Sequence, residues 1–171
     1  MMALDTQILL FLNGFAGASN WLDGLIIFFA SYLPWLLVAT ALLFVCISAR
    51  KRDMWKVFFV ATSAMFVGRF VVVDLTHLLY QRPRPFLATR DVHSLFQVHE
   101  WSFPSAHALV FFALATAIFL YNKKWGAGLY AGALLVVIAR VAAGVHYPSD
   151  VLVGAGIGVI VACLMFYLVR R

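Results

Sequence analysis

Long apolar runs, separated by short polar breaks, decide what this chain can fold into. Trp35 to Ala49, Val57 to about Tyr80, Pro104 to Tyr121, Trp125 to Arg140 and Pro148 to Val169 read as five membrane spans. Hydrocarbon demands a helix of roughly 20 mostly apolar residues. The composition agrees: 64% of the 171 residues are hydrophobic and 12% are charged, more apolar surface than a soluble domain of this size can hide. Ahead of these spans, residues 4–16 form a short apolar segment with Asp5, Gln7 and Asn13 interspersed. Gly17 to Asn20 break it, Trp21 to Ser31 form a second short run, and Pro34 is expected to end that run. The expectation is an all-α integral membrane bundle of about six helices, five spans plus this N-terminal helical pair, in one domain over residues 1–171.

The charges assign sides. Basic clusters fall at 50–56, 123–124 and 170–171, on one side if the spans alternate. The positive-inside rule makes that side cytoplasmic. Arg82, Arg84, loop 86–102, Ser105, His107, Arg140, His146 and Asp150 then gather at the opposite, extracytoplasmic face. Arg69 and Asp74 lie deeper. Ionisable groups inside a span are costly and turn inward, so the pair should meet each other or the site. The net charge of +6 is split among loops and helix ends and does not indicate a nucleic-acid partner. Cys46 and Cys163 lie in apolar runs and read as small core residues, not as a disulfide or metal site. No carboxylate cluster suits magnesium, so no metal or cofactor is expected. The first residues lack the basic region of a cleavable signal.

Three polar stretches carry chemistry. In Arg140-Val-Ala-Ala-Gly-Val-His146-Tyr-Pro-Ser-Asp150, Pro148 suits the first turn of a new helix. Asp150, one turn from His146, is placed to orient its imidazole. Alone, the stretch fits equally a turn with a snorkelling arginine and a helix-start aspartate. In Gln81-Arg82-Pro83-Arg84-Pro85-Phe86 the prolines hold the preceding arginines extended and stop the helix. Two arginines on a stiff turn can grip a phosphate, or simply touch lipid headgroups. In Ser102-Phe-Pro-Ser105-Ala106-His107, Ser105 is a natural helix cap. The helix start behind it favours an anion, and His107 could donate a proton. A lone histidine there is more often polar surface, a reading weakened by its sharing a face with Arg84, Arg140 and His146.

Together these stretches resemble the signature of the type 2 phosphatidic acid phosphatase superfamily, which also includes vanadium haloperoxidases. The family pattern is Lys-x6-Arg-Pro, Pro-Ser-Gly-His and Ser-Arg-x5-His-x3-Asp. Here it is His77-x6-Arg84-Pro85, Pro104-Ser105-Ala106-His107 and Ala139-Arg140-x5-His146-x3-Asp150. The resemblance runs from about residue 55 to the C-terminus and looks most like bacterial undecaprenyl-diphosphate phosphatases. Three positions depart from it. His77 replaces a permanent cation by a titratable one. Ala106 adds a Cβ where glycine has none. Ala139 removes a hydroxyl.

The resemblance implies a phosphatase mechanism without cofactor. His146 attacks phosphorus and forms a phosphohistidine. Asp150 orients it and His107 protonates the leaving oxygen. Arg84, Arg140, Ser105, Ala106 and His77 hold the phosphate oxygens. Arg82 and Arg90 are candidate headgroup contacts, within or beside a loop that also holds Asp91, His93, His99 and Glu100. The implied partners are a lipid phosphate or diphosphate and membrane lipids, and the implied location is a bacterial cytoplasmic membrane. Phosphatidylglycerophosphate, phosphatidate and lipid A phosphates are the alternative substrates. A small transporter or channel subunit is the non-enzymatic alternative. Transporter sites favour the midplane and internal repeats, whereas these polar residues sit at helix ends and no repeat is present.

Overall fold

Helix α7, Ala106–Tyr121, is the axis of the bundle. Its alanines at 108, 113, 115 and 117 are buried and small, so neighbouring helices come close on several sides. Around it stand α4 (Lys51–Phe66), α8 (Lys123–Ala142) and α9 (Pro148–Arg170). The computed structural model describes residues 2–47 and 51–170. Helix α9 approaches α7 through Gly154 and Gly158. A Cβ there would stand 2.6 Å from the Ser105 carbonyl oxygen or 2.3 Å from that of Leu109. Helices packed in lipid gain no hydrophobic term from meeting each other, so this close backbone contact is what holds them.

Among the described residues, four helices are long and apolar enough to cross a membrane: Asn20–Ile47, Met54–Leu79, Lys123–Ala142 and Pro148–Val169. The expected fifth, α7, has only 16 residues, roughly 24 Å of rise. Sheathed by other helices, it need not meet lipid along its length.

The N-terminal map is corrected. Pro34 does not end a helix. Helix α2 (Asn20–Ile27), a π-helical turn (Phe28–Tyr32) and α3 (Leu33–Ile47) form one continuous helix. Pro34 has no N–H for the carbonyl four residues earlier, Ala30. That oxygen instead accepts from Arg140 Nη1 at 3.3 Å. A tertiary donor thus replaces the lost helical one, as apolar surroundings require. A second π-helical stretch, Val67–Val73, joins α4 to α5 (Asp74–Leu79).

Helix α1, Met2–Asn13, lies against α8 and α9 and is tied down by its polar residues. Asn13 is 1% exposed. It donates to the carbonyls of His93 and Ala142, each at 2.7 Å, and accepts from His93 N at 2.8 Å.

Leu79, Leu152 and Trp35 are 87%, 74% and 74% exposed, a surface suited to lipid and not to water. Cys46 and Cys163 are exposed free thiols, not core residues: in a bilayer-facing run, apolar neighbours do not imply burial. Of the basic clusters, the side chains of Arg50, Lys51, Arg52, Arg170 and Arg171 lie outside the described residues.

Candidate active site

Three polar stretches meet at one end of the bundle, around a cavity of about 280 Å³. Arg69, Arg84, Glu100, Ala106, His107 and Arg140 line its polar side, and Val98, Val110 and Phe111 its apolar side. Arg84 comes from the stiff turn. It is held extended at φ −70°, ψ 153° before Pro85, as a residue preceding proline must be. Its guanidinium is buried and donates to three backbone carbonyls, Glu100 at 2.6 Å, Val145 at 2.7 Å and Trp101 at 3.2 Å, besides its contact with His146. Burial pushes Arg84 down to about 10, so it remains charged at neutral pH. Arg140, 5% exposed, likewise faces a carbonyl, that of Ala30, and its Nη1 lies 3.3 Å from His107 Nε2. Among the described residues its Nε is buried without a hydrogen-bond partner, and neither buried arginine has a carboxylate on it, which leaves a positive cavity with donor capacity to spare.

His146 stands at the turn between α8 and α9. Gly144, at φ 75°, makes that turn; a Cβ there would come within 2.6 Å of the His93 carbonyl oxygen. The His146 Nδ1–H donates to the Ser102 carbonyl at 2.9 Å. The lone pair therefore sits on Nε2, which lies 3.4 Å from Arg84 Nη1. Burial, aided by Arg140 and Arg84 against the opposing pull of Asp150, holds the imidazole at about 4. At neutral pH the ring is unprotonated at Nε2.

Asp150 stands beside His146 as an ion-pair neighbour and not as a hydrogen-bond partner. Its Oδ2 is 3.7 Å from His146 Nδ1, beyond hydrogen-bond reach, so the Ser102 carbonyl orients the ring. Asp150 is fully buried. It accepts from Ser102 Oγ at 2.5 Å, the Tyr147 amide at 2.9 Å and Arg82 Nη1 at 2.5 Å. It therefore positions the carbonyl and the turn that in turn position His146. Arg82, expected at the headgroup, is part of this lock. It also reaches Asp5 at 2.9 Å and Ser149 Oγ at 2.8 Å, and lies 3.8 Å over the Tyr147 ring. Two carboxylates already occupy its donors.

Ser105 caps α7, accepting from Ala108 N at 3.4 Å, and is fully buried. Ala106, not Ser105, lines the cavity. Arg90 is exposed, and His77 is half-buried with an Nε2 that has no hydrogen-bond partner among the described residues; neither lines the cavity. Asp74 pairs with Arg69 at 2.7 Å. Arg69 and Asp74 thus meet as expected, and Arg69 also reaches the site.

Asp5 and Ser149 are site neighbours that sequence reasoning missed; Ser102 and Glu100 were named only as members of their stretches, without these contacts. Asp5 accepts from the Ser149 amide at 2.8 Å and its hydroxyl at 2.6 Å, across the whole length of the chain. Its only sequence signal was a carboxylate in an otherwise apolar segment.

An apolar cleft of about 260 Å³ continues from the cavity. His107, Val110 and Phe111 line both, and Ser31, Pro34, Trp35, Val38 and Met65 complete the cleft.

A family model described as the PAP2 superfamily matches residues 53–171. The "Bacitracin transport permease protein BcrC" of Bacillus licheniformis is 30% identical over 166 residues, covering 96% of this chain and 80% of that protein. "Undecaprenyl-diphosphatase BcrC" of Bacillus subtilis is 29% identical, covering 95% and 83%. The crystal structure of Aquifex aeolicus LpxE matches with a TM-score of 0.77 at 29% identity, over 96% of this chain and 95% of that one. The chain belongs to the PAP2 superfamily. It is a membrane-embedded phosphatase of the lipid-phosphate class.

Proposed function

We propose that the protein removes a phosphate from a polyprenyl diphosphate, with undecaprenyl diphosphate the best reading, through a phosphohistidine on His146. The observation that carries this is His146 Nε2 lying 3.4 Å from Arg84 Nη1: the buried histidine is not itself among the lining residues and stands directly behind Arg84, which lines a cation-rich cavity that runs on into an apolar cleft. The diphosphate meets the arginines while the tail lies along the cleft toward lipid. Phosphate draws the Arg84 guanidinium off the Nε2 lone pair, which attacks the terminal phosphorus. The bond to the bridging oxygen breaks and His107 protonates that oxygen. A phosphate seated between Arg140 and His107 takes the guanidinium's hydrogen bond, so His107 Nε2 is free to take up the proton of an incoming protonated diphosphate, and that is the proton it passes to the bridging oxygen. Water then attacks phosphorus, returns a proton to His107 and releases inorganic phosphate from His146. Arg84, Arg140 and the Ala106 end of α7 stabilise the charge that develops on the oxygens. The distribution of Lys56, Lys123 and Lys124 with the terminal arginines supports a site on the extracytoplasmic face.

The names of two relatives support the polyprenyl reading, while another carries the name lipid A 4'-phosphatase. The test is phosphate release in detergent from undecaprenyl diphosphate, phosphatidylglycerophosphate, phosphatidate and lipid A, with EDTA present. Preferred turnover of the polyprenyl diphosphate and inhibition by vanadate, a mimic of the transferring group, are expected. Preference for lipid A or a glycerophospholipid would replace the substrate. A strict magnesium requirement would end the mechanism.

A further inference from the structure

Arg69 belongs to none of the three motif stretches, yet it lines the same cavity as Arg84, Arg140 and His107. It sits in the π-helical stretch Val67–Val73, a local widening common at functional sites. Its two terminal nitrogens have separate partners. Nη1 donates to Asp74 Oδ1 at 2.7 Å, and Nη2 to Glu100 Oε1 at 2.9 Å. Asp74 is on the same helical run, whereas Glu100 belongs to the loop that also lines the cavity. Backbone and side chain of Glu100 have different duties: its carbonyl holds Arg84 Nε at 2.6 Å, and its carboxylate faces Arg69. That carboxylate is half exposed, as is that of Asp74, at 53% and 52%. Of the two carboxylates only Glu100 lines the cavity with Arg69, so it is the one that a phosphate dianion entering the cavity meets and can displace. His77, roughly two turns further along the helix, does not line the cavity.

Resting on the reading of this cavity as the phosphate site, we propose that Arg69 is its third phosphate-binding cation, and that Glu100 is the resident carboxylate the lipid phosphate displaces from it. Asp74 keeps Nη1 throughout and holds the guanidinium in place, while Nη2 passes from Glu100 to a phosphate oxygen. Arg69 thereby supplies at the cavity the permanent charge that position 77 does not.

Two substitutions separate this from a purely structural bridge, because both break the same ion pair. Arg69→Ala should raise KM for farnesyl diphosphate, used as a short polyprenyl diphosphate, about tenfold or more, the range for one charged hydrogen bond. Its kcat should change far less. Glu100→Gln removes a competing anion, so KM and the vanadate inhibition constant should both fall, by about threefold. If the pair only fastens the loop, the two variants act in the same direction. That result, or an unchanged KM in Arg69→Ala, overturns the proposal. Should Arg69→Ala fail to fold, Glu100→Gln decides alone: a KM no lower than the parent's overturns it. Failure of the underlying site reading looks different, since Arg84→Ala would then retain full turnover.

Discussion

Arg82 and Arg84 stand on one stiff turn, and their surroundings give them opposite work. Arg82 faces Asp5 and Asp150, two carboxylates at 2.9 and 2.5 Å. Its charge is cancelled and its donors are spoken for. Arg84 faces the carbonyls of Glu100, Trp101 and Val145. Carbonyls satisfy its N–H groups and leave its charge unbalanced, and Arg140 is treated likewise by Ala30. The molecule therefore has a neutralised lock behind His146 and a positive cavity in front of it. The kind of partner, not the kind of residue, decides which arginine is available to a phosphate.

Substitutions can break this contrast. The largest effect should come at the cavity: His146→Ala should abolish phosphate release while the protein stays folded in detergent. Arg84→Lys, which keeps the charge and loses the fork of donors, should lower kcat/KM on the order of 10²-fold. Survival of normal turnover in His146→Ala would remove the nucleophile from the mechanism.

On the lock side the loss should be mainly in stability. Asp5→Asn leaves the hydrogen-bonding shape but unbalances Arg82. Thermal unfolding in detergent should begin several degrees lower, with kcat/KM falling only a few-fold. A cavity-sized loss of kcat/KM at unchanged stability would mean that the lock touches substrate.

A pH profile gives the smallest and sharpest signal. His146 sits at about 4 in the folded protein, below the ordinary histidine value of about 6.5. It stays unprotonated down to that point, so kcat/KM should hold through pH 6.5 on the acid side. Loss of the nucleophile should set in only toward pH 4. An acid limb centred near 6.5 would show that His146 is solvated and not held by Ser102 and the arginines.

Much of this was legible in the linear chain because it is local. Pro83 and Pro85 hold the chain extended after α5 and Pro85 then opens the short helix α6 (Pro85–Ala88), Ser105 caps α7, and Pro148 opens α9. The apolar runs name the solvent as lipid. The spacing of Arg140, His146 and Asp150 follows from one turn and one helix start. Arg84, His107 and Ala106 could be placed near them because each ends a run on the same side.

Other features came only from contacts between remote residues. Pro34 looked like a terminator because its own turn loses a hydrogen bond; Arg140, on another helix, supplies the replacement. Asp150 was spaced to reach His146, yet Ser102 and Arg82 draw its oxygens away and the Ser102 carbonyl takes the ring. Asp5 and Asn13 read as interruptions of an apolar segment, and folding turns them into anchors for Ser149 and His93.

What the sequence by itself determined is the solvent, the helical class and the set of groups able to handle phosphate, since each follows from composition or from residues within a turn of one another. Only the tertiary structure decided which arginines keep a usable charge, what aims His146, and that Arg69 joins the cavity while His77 does not. Those outcomes depend on which oxygen each buried donor finds first, and the competing oxygens come from every part of the chain.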